Sequence, residues 1–441
     1  MSSEVRSPDS DDSKVRTRTK LNGKIENIYR TLWRWHFYAG LIVAPILIWA
    51  SVTGALYIFV DEIEPWLYRS MMFVSPESQR SSLEAQLNAV QRQFPQETVD
   101  SVAITNDPAR TTEFFLRSES QRGRYVYVNP YRTTITGTRF HNEGFFPIVR
   151  MLHRTIYAGT FGRILMELST SWGIILIGTG TYLWWPRKSS RKRGRWGGVW
   201  WPRFHSGTKT LLRDLHAVGG IFLAPVIIVI MVTGLFYTMF WGRAYLITMM
   251  ASGGAPELFL TAPHSQQNGS PGPLSLDEVF QIAIAQDPDH FPISISLPHD
   301  TEGTFQINVG TAHDPLGRAM YAVDQYSGAV TLRTDATNAS YMLLLLSYAY
   351  PLHVGSVFGI PTKLLALLAC LMIVLLCVTG IWMWWRARPK GQSGLPGRVE
   401  NARLKRWPVL VMIACGILMP MAGFSIIIVL LGDWIAQRFL R

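Results

Sequence analysis

Four of the ten histidines stand where their chemistry is hardest to dismiss, at the edges of long apolar runs. His36 closes the segment Leu32-Trp33-Arg34-Trp35-His36 and opens one run; His216 closes Leu212-Arg213-Asp214-Leu215-His216 and opens another. His153, in Leu152-His153-Arg154, and His353, in Pro351-Leu352-His353, precede two more. Ionisable side chains near hydrocarbon are costly to place and are functional by default. Neutral imidazole is a metal ligand and a haem axial ligand. Two axial imidazoles on one iron leave no open position, which suits electron transfer better than oxygen binding. Helix capping or an interfacial position is the competing role for any one histidine. A metal site without haem is the other alternative, although no carboxylate or thiolate cluster accompanies the four.

The runs that carry these histidines are written twice. Counted from His36 and His216, Gly40 matches Gly220, Pro45 matches Pro225, Thr53-Gly54 matches Thr233-Gly234 and Tyr57 matches Tyr237, all at an offset of 180. At an offset of 200, His153 matches His353, Gly159 matches Gly359, Arg163 matches Lys363, Thr179-Gly180 matches Thr379-Gly380, and Trp184-Trp185 matches Trp384-Trp385. Internal repeats of this kind set the architecture. Each half reads as helix, external segment, helix. The recurring glycines let helices, or a flat macrocycle, approach closely, and Pro45 and Pro225 are candidate kinks.

Composition agrees with a membrane protein. The chain of 441 residues is 48% hydrophobic and only 16% charged, against about a quarter charged in soluble domains. Phe37–Val60, Ile164–Trp185, Ala217–Trp241, Leu364–Trp385 and Val409–Gly432 are each long enough for a hydrocarbon core of roughly 30 Å. The expected fold is therefore an α-helical transmembrane bundle of four repeat helices plus a fifth. Residues 31–60, 149–186, 214–241, 350–385 and 408–432 hold these spans, the second and fourth with their preceding His segments. No ionisable residue is expected mid-helix, which counts against ion-coupled transport.

The net charge of +12 is concentrated. Residues 187–213 hold nine Lys and Arg with no acid, and 386–407 hold seven against Glu400 alone. The positive-inside rule puts these loops, and the basic N-terminus of residues 1–30 expected to be disordered, in the cytoplasm. Topology explains this charge, so no nucleic-acid partner is expected. The C-terminal tail, 433–441, then lies outside, and His36 and His216 share one membrane face while His153 and His353 share the other. Arg34 and Arg213 on the inner side, and Arg154 and Lys363 on the outer, are candidate partners for haem propionates, with helix-end anchoring as the competing role.

The external segments, 61–148 and 242–349, also correspond. In each, a helical stretch (Leu83–Phe94; Leu276–Ala285) precedes alternating strand-like runs. Each then reaches a turn, Tyr127-Val128-Asn129-Pro130-Tyr131 or Ala322-Val323-Asp324-Gln325-Tyr326-Ser327-Gly328. Two small α+β domains are expected. Cys370, Cys377 and Cys415 lie within apolar runs and form no C-x-x-C-H motif. Covalent c-type haem is not expected, and the thiols read as packing residues.

The motifs W-R-W-H-x3-G, L-H-R, R-D-L-H-x3-G and P-L-H, with paired external domains, resemble the PepSY-associated transmembrane family over roughly Ile28–Arg388. Within it the chain resembles the ferric-siderophore reductases of the ferrioxamine type, in the bacterial inner membrane. The resemblance implies an oxidoreductase with two b-type haems, one on His36 and His216 and one on His153 and His353. It implies a periplasmic ferric siderophore as acceptor, whose iron is released on reduction to Fe(II). Trp66, Tyr68, Phe145, Phe146, Tyr341 and Tyr350 are candidate site aromatics. No flavin or nicotinamide motif is present, so the donor would be the quinone pool or a cytoplasmic reductase. His205 and the external His141, His264, His290, His299 and His313 have no metal-ligand spacing. A non-enzymatic envelope protein that binds or restrains a peptidase is the rival reading, and it needs no haem.

Overall fold

A backbone crossing hydrocarbon must satisfy its own polar groups, so each long apolar run is required to be helical. The computed structural model describes residues 9–118, 123–186, 197–261, 263–267, 272–396 and 413–439. Among these residues four helices have the length and hydropathy of a membrane span: Ile28–Tyr57, Gly159–Trp184, Thr208–Leu235 and Ile360–Ala387. Numbered in chain order with the shorter helices, they belong to α1 (Asp9–Tyr57), α5 (Gly159–Trp184), α6 (Thr208–Leu235) and α10 (Ile360–Ala387), with α7 (Phe240–Ala251) following α6. Two features differ from the sequence expectation. The polar segment before the first span is helical from Asp9 onward, since adding turns to an existing helix avoids the cost of nucleation. The fifth run is not one uninterrupted helix: residues 413–418 are helical, the chain bends at Met419, and α11 (Pro420–Phe439) follows. Proline lacks the N–H that would continue the ladder at that point. Residues 187–196 and 397–406, which carry most of the expected basic loops, lie outside the described residues.

The chain forms two compact units. The first comprises Met1–Val52, Thr160–Val232 and Leu368–Arg441. Val43 and Leu47 of α1, Ile227 and Met231 of α6, and Ala369 and Ile373 of α10 form its buried core, with Trp172 and Leu176 of α5 packed against them. The Trp172 indole N–H donates to Ser425 Oγ at 3.0 Å, which attaches α11 to α5. One expectation is corrected in this unit. Glu167 is an ionisable residue inside the α5 span, and it is fully buried. Ser169 and Ser171 are buried near it in sequence, and their hydroxyls find no hydrogen-bond partner among the described residues. The second repeat has Leu367, Ala369 and Leu371 at the same places, so this polar stretch belongs to one copy alone.

The second unit comprises Thr53–Gly159 and Thr233–Leu367. Its centre is an antiparallel sheet of eight strands in the order β4-β3-β2-β1-β5-β6-β7-β8. The first segment supplies β1 (Glu97–Ile104), β2 (Thr112–Ser118), β3 (Gly123–Val128) and β4 (Ile135–Phe140). The second supplies β5 (Ile293–Ser296), β6 (Thr304–Val309), β7 (Ala319–Asp324) and β8 (Val330–Asp335). The segments 61–148 and 242–349 thus share one sheet, joined where Val102 pairs with Ile295 and Ile104 with Ile293. Pairing the two inner edges removes a pair of unpaired strand edges. Strand alternation buries one face: Phe114, Leu116, Val126, Val128, Ile293, Ile295, Ile307 and Tyr321 are essentially inaccessible to solvent.

That face is covered by α3 (Leu83–Gln93) and α8 (Leu276–Gln286), which bury Leu83, Leu87, Val90, Leu276, Val279 and Ala283 in the same core. Ser82 and Ser275 cap these helices. Each helix also caps the other. Asp277 accepts from the N–H groups of Leu83 and Glu84 at 2.8 and 3.0 Å, and Glu84 accepts from that of Leu276 at 3.3 Å. Both expected turns form around a side chain that mimics backbone. Asn129 Oδ1 accepts from Tyr131 and Arg132, and Asp324 Oδ1 from Tyr326 and Ser327.

Candidate functional site

The helices bring the four histidines together two by two, as their repeat positions suggest. In the first unit, the rings of His36 on α1 and His216 on α6 have centroids 6.3 Å apart. In the second unit, His153 and His353 have centroids 6.0 Å apart. His153 lies in the last turn of α4 (Phe145–Thr155), and His353 in the last turn of α9 (Tyr341–Val354). Both turns end in left-handed backbone, at Ile156 (φ 51°) and Gly355 (φ 73°). Gly355 suits that conformation, and a Cβ there would lie 2.5 Å from the Thr362 carbonyl oxygen. Ile156 is β-branched and held there at a cost of about 1–3 kcal/mol, which places local strain three residues from His153.

Three of the four rings have one nitrogen accounted for. His36 Nδ1 lies 2.9 Å from Thr179 Oγ1, His216 Nδ1 3.1 Å from Thr379 Oγ1, and His153 Nδ1 3.1 Å from Thr53 Oγ1. The Thr179 hydroxyl donates to the Ile175 carbonyl at 3.0 Å, and that of Thr379 to the Leu375 carbonyl at 2.6 Å. A hydroxyl has one proton to give, so toward histidine these two oxygens accept and Nδ1 carries the hydrogen. The lone pair is therefore on Nε2. A hydrogen bond at the far nitrogen is how metal-binding imidazoles are oriented and their tautomer set. Thr233 holds the repeat position equivalent to Thr53 on the helix facing His353.

Beside each of three rings sits a glycine, closest at His353. A Cβ on Gly180 would lie 3.2 Å from His36 Cε1, one on Gly380 3.4 Å from His216 Cε1, and one on Gly234 2.9 Å from His353 Cε1. The Thr-Gly dipeptide thus does two jobs at once: the hydroxyl holds the ring and the glycine clears its path. In the sequence these dipeptides stand only as repeat markers, and no motif there ties the threonines to the histidines. The signal was the recurrence of one polar residue beside glycine in all four apolar runs.

These residues fit haem. Two imidazoles in each pair, with ring centres 6.3 and 6.0 Å apart, are the donor set that would hold a haem iron. Among the described residues no group of three or more His, Cys, Asp and Glu is placed to hold a metal ion.

The candidate propionate partners divide. Arg34 lies over the Tyr38 ring at 5.7 Å; Arg213 is mostly exposed, 3.6 Å from Asp214; and Arg154 is exposed. Lys363 does not fit the role. It is buried, and its ammonium meets Asp61 Oδ2 at 3.0 Å and Glu62 Oε1 and Oε2 at 2.8 and 3.0 Å. With three donors so engaged, it is committed to protein carboxylates.

Next to the second pair, the Tyr237 ring lies 6.1 Å from that of His353. Burial pushes its hydroxyl up to about 12, against the opposing pull of Arg154 and Arg318. Tyr237 and Tyr350 line a half-open, largely apolar cavity of about 310 Å³, along with Arg318, Met320, Leu343 and Leu346. Of the other candidate aromatics, Phe146 is buried with its ring against Tyr57, while Trp66, Phe145 and Tyr341 are exposed. Tyr68 lies under the Arg139 guanidinium at 5.2 Å.

A family model described as the PepSY-associated TM region matches residues 33–387. A comparison with curated proteins finds no match for the chain.

Proposed function

The chain belongs to the PepSY-associated transmembrane family, and from that premise we propose that it is a di-haem electron-transfer protein of the bacterial inner membrane that reduces a ferric siderophore. The observation that carries this reading is the pairing of four histidines at separations of 6.3 and 6.0 Å, with three of the rings tied at Nδ1 to threonine. Bound b-type haem would supply reversible one-electron chemistry at each pair.

The protein's own part is positional. Thr179, Thr379 and Thr53 hold rings in orientation; Gly180, Gly380 and Gly234 keep the approach open. Apolar helix walls exclude water. Two centres divide a hydrocarbon core of about 30 Å into shorter electron hops. A quinol or a cytoplasmic reductase would supply the electron at the His36–His216 side. The acceptor's Fe(III) would gain it at the His153–His353 side and become Fe(II), which hard oxygen donors chelate less strongly. The two external segments are hydrogen-bonded to each other along β1 and β5, so the cavity lined by Tyr237, Arg318 and Tyr350 is the better place for the acceptor to dock.

The test is an absorbance spectrum with a pyridine-haemochrome count on detergent-purified protein, oxidised and then dithionite-reduced. Two b-type haems per chain are expected, one lost in His36→Ala and the other in His353→Ala, followed by reoxidation with ferric siderophores. Protein that stays colourless after expression with added haem would overturn the reading and favour the peptidase-restraining alternative.

A further inference from the structure

The eight-stranded sheet carries the same strand pair twice, and the two copies differ on the face turned away from α3 and α8. Across β3 and β4, Tyr125 faces Arg139 and Tyr127 faces Gly137. Across β7 and β8, Met320 faces Thr334 and Ala322 faces Leu332. The register shifts just after Tyr127 in one copy and just after Ala322 in the other, so the positions correspond. The alternation that packs Val126 and Tyr321 into the core under the helices puts these residues on the opposite face. In the first copy that face is filled by a cation and its partners. Arg139 donates to the Tyr127 hydroxyl and to Glu64 Oε1, both at 3.0 Å, and its guanidinium lies 5.2 Å from the ring centres of Tyr68 and Tyr125. Glu64 is supplied by α2 (Val60–Leu67).

In the second copy the guanidinium and both phenols are gone, replaced by Thr334, Met320 and Ala322. Where they would stand is the cavity of about 310 Å³, which Met320 and Thr334 line from the sheet. That size lies at the lower end of small-molecule sites, about 300–1,000 Å³. Leu343, Leu346, Ser347 and Tyr350 recur at the spacing of one helix face, so α9 forms another wall. A cation remains. Arg318, half-buried on the approach to β7, lines the cavity, and among the described residues it has no carboxylate partner. The acid on the same lining is already taken: Asp335 accepts from Arg333 Nε and from the Thr337 N–H, both at 2.9 Å. One positive charge is thus left unmatched beside apolar walls, where an opposite charge would be held more strongly than in water.

We propose that this cavity binds a ligand with an apolar body and one carboxylate. The carboxylate meets Arg318, supplying the anion that Glu64 supplies to Arg139 in the first copy. The body lies between Met320 and the face of α9 that carries Leu343 and Leu346. Guanidinium and carboxylate match as a two-point fork, whereas a neutral group of the same shape leaves the charge unmet. Tyr237 is on the same lining, and its ring lies 6.1 Å from that of His353. As the acceptor's point of contact the site rests on the acceptor reading above, and it narrows that reading to chelates that present a carboxylate on an apolar arm. As a binding site it needs no haem.

The test is calorimetric titration of the full-length protein in detergent, near neutral pH, with 1-naphthoate and with its neutral counterpart 1-naphthamide. Wild type, Arg318→Gln and Met320→Tyr are compared in the same detergent, so uptake by micelles cancels. Wild type is expected to bind the acid at least about tenfold more tightly than the amide, the least that a hydrogen bond to a charged group contributes. Arg318→Gln should lose that preference and keep its affinity for the amide, which reports an intact cavity. Met320→Tyr, which restores the first copy's side chain at that position, should weaken both probes. Equal affinity for acid and amide in wild type, a preference that survives Arg318→Gln, or full binding in Met320→Tyr would overturn the proposal and leave the electron-transfer reading standing. Saturating 1-naphthoate is also expected to slow reoxidation of the reduced protein by a ferric siderophore. Acid binding that depends on Arg318 but leaves that rate unchanged would overturn the cavity as the acceptor's docking place, and not the carboxylate site.

Discussion

His36 Nδ1 and Thr179 Oγ1 lie 2.9 Å apart, and the same hydroxyl donates to the Ile175 carbonyl, so the imidazole hydrogen points at threonine and its lone pair points away. The arrangement recurs at His216 and Thr379. A hydroxyl anchored to its own helix is a rigid acceptor, and it makes the orientation of a ligand ring independent of whether a metal is present.

Replacing Thr179 by valine keeps the shape and removes the acceptor. Outer partners of this kind are worth about 10–100-fold in affinity for the bound group. Thr179→Val is therefore expected to weaken haem binding at the His36–His216 pair by that factor, while Thr179→Ser largely retains it. Titrating haem into protein expressed without it, followed by absorbance, checks both.

Glycine positions along the spans should differ sharply in tolerance. Gly234→Ala places a methyl 2.9 Å from the His353 ring, whereas Gly220→Ala meets only the movable Leu376 side-chain end at 3.2 Å. Loss of the His153–His353 haem is expected for the first substitution, and a near-normal haem count for the second. A pyridine-haemochrome assay of the two variants decides it.

The acid limb of stability should depend on Asp61. Burial pushes its carboxyl up, but the hydrogen bonds from His313 and Lys363 outweigh burial and hold it below the ordinary range. A depressed folded-state pKa contributes stability above the unfolded value near 3.9 and loses it as pH falls through the folded value. Asp61→Asn is expected to lower the melting temperature by a constant amount above about pH 5, with the difference shrinking below pH 4. Melting curves in detergent between pH 3 and pH 7 give the comparison.

Reciprocal capping predicts a stability effect with no functional one. Asp277→Ala leaves the Leu83 and Glu84 N–H groups without their carboxylate and is expected to cost about 1 kcal/mol, the usual worth of an N-terminal cap. The loss should show as a lower unfolding midpoint of the sheet-containing unit, with the haem spectrum unchanged.

Much of this molecule was legible in the sequence because the signals are local. An apolar run of sufficient length in hydrocarbon has only one backbone solution, so the four spans were readable from hydropathy. The offsets of 180 and 200 sorted His36 with His216 and His153 with His353 before any contact was known. The turns at Tyr127–Tyr131 and Ala322–Gly328 were readable as well, because turns are made by neighbours in the chain.

What the tertiary structure decided involves partners far apart in sequence. Thr179 reaches His36 across 143 positions, and Lys363 reaches Asp61 across 302. The joining of β1 to β5 turned two expected domains into one sheet, since strand edges carry no mark of which edge they will meet. Glu167 and Lys363 show the same limit from the other side. Residue type alone placed neither, because whether a charge lies in hydrocarbon, in water or against a carboxylate is set by which helices pack around it.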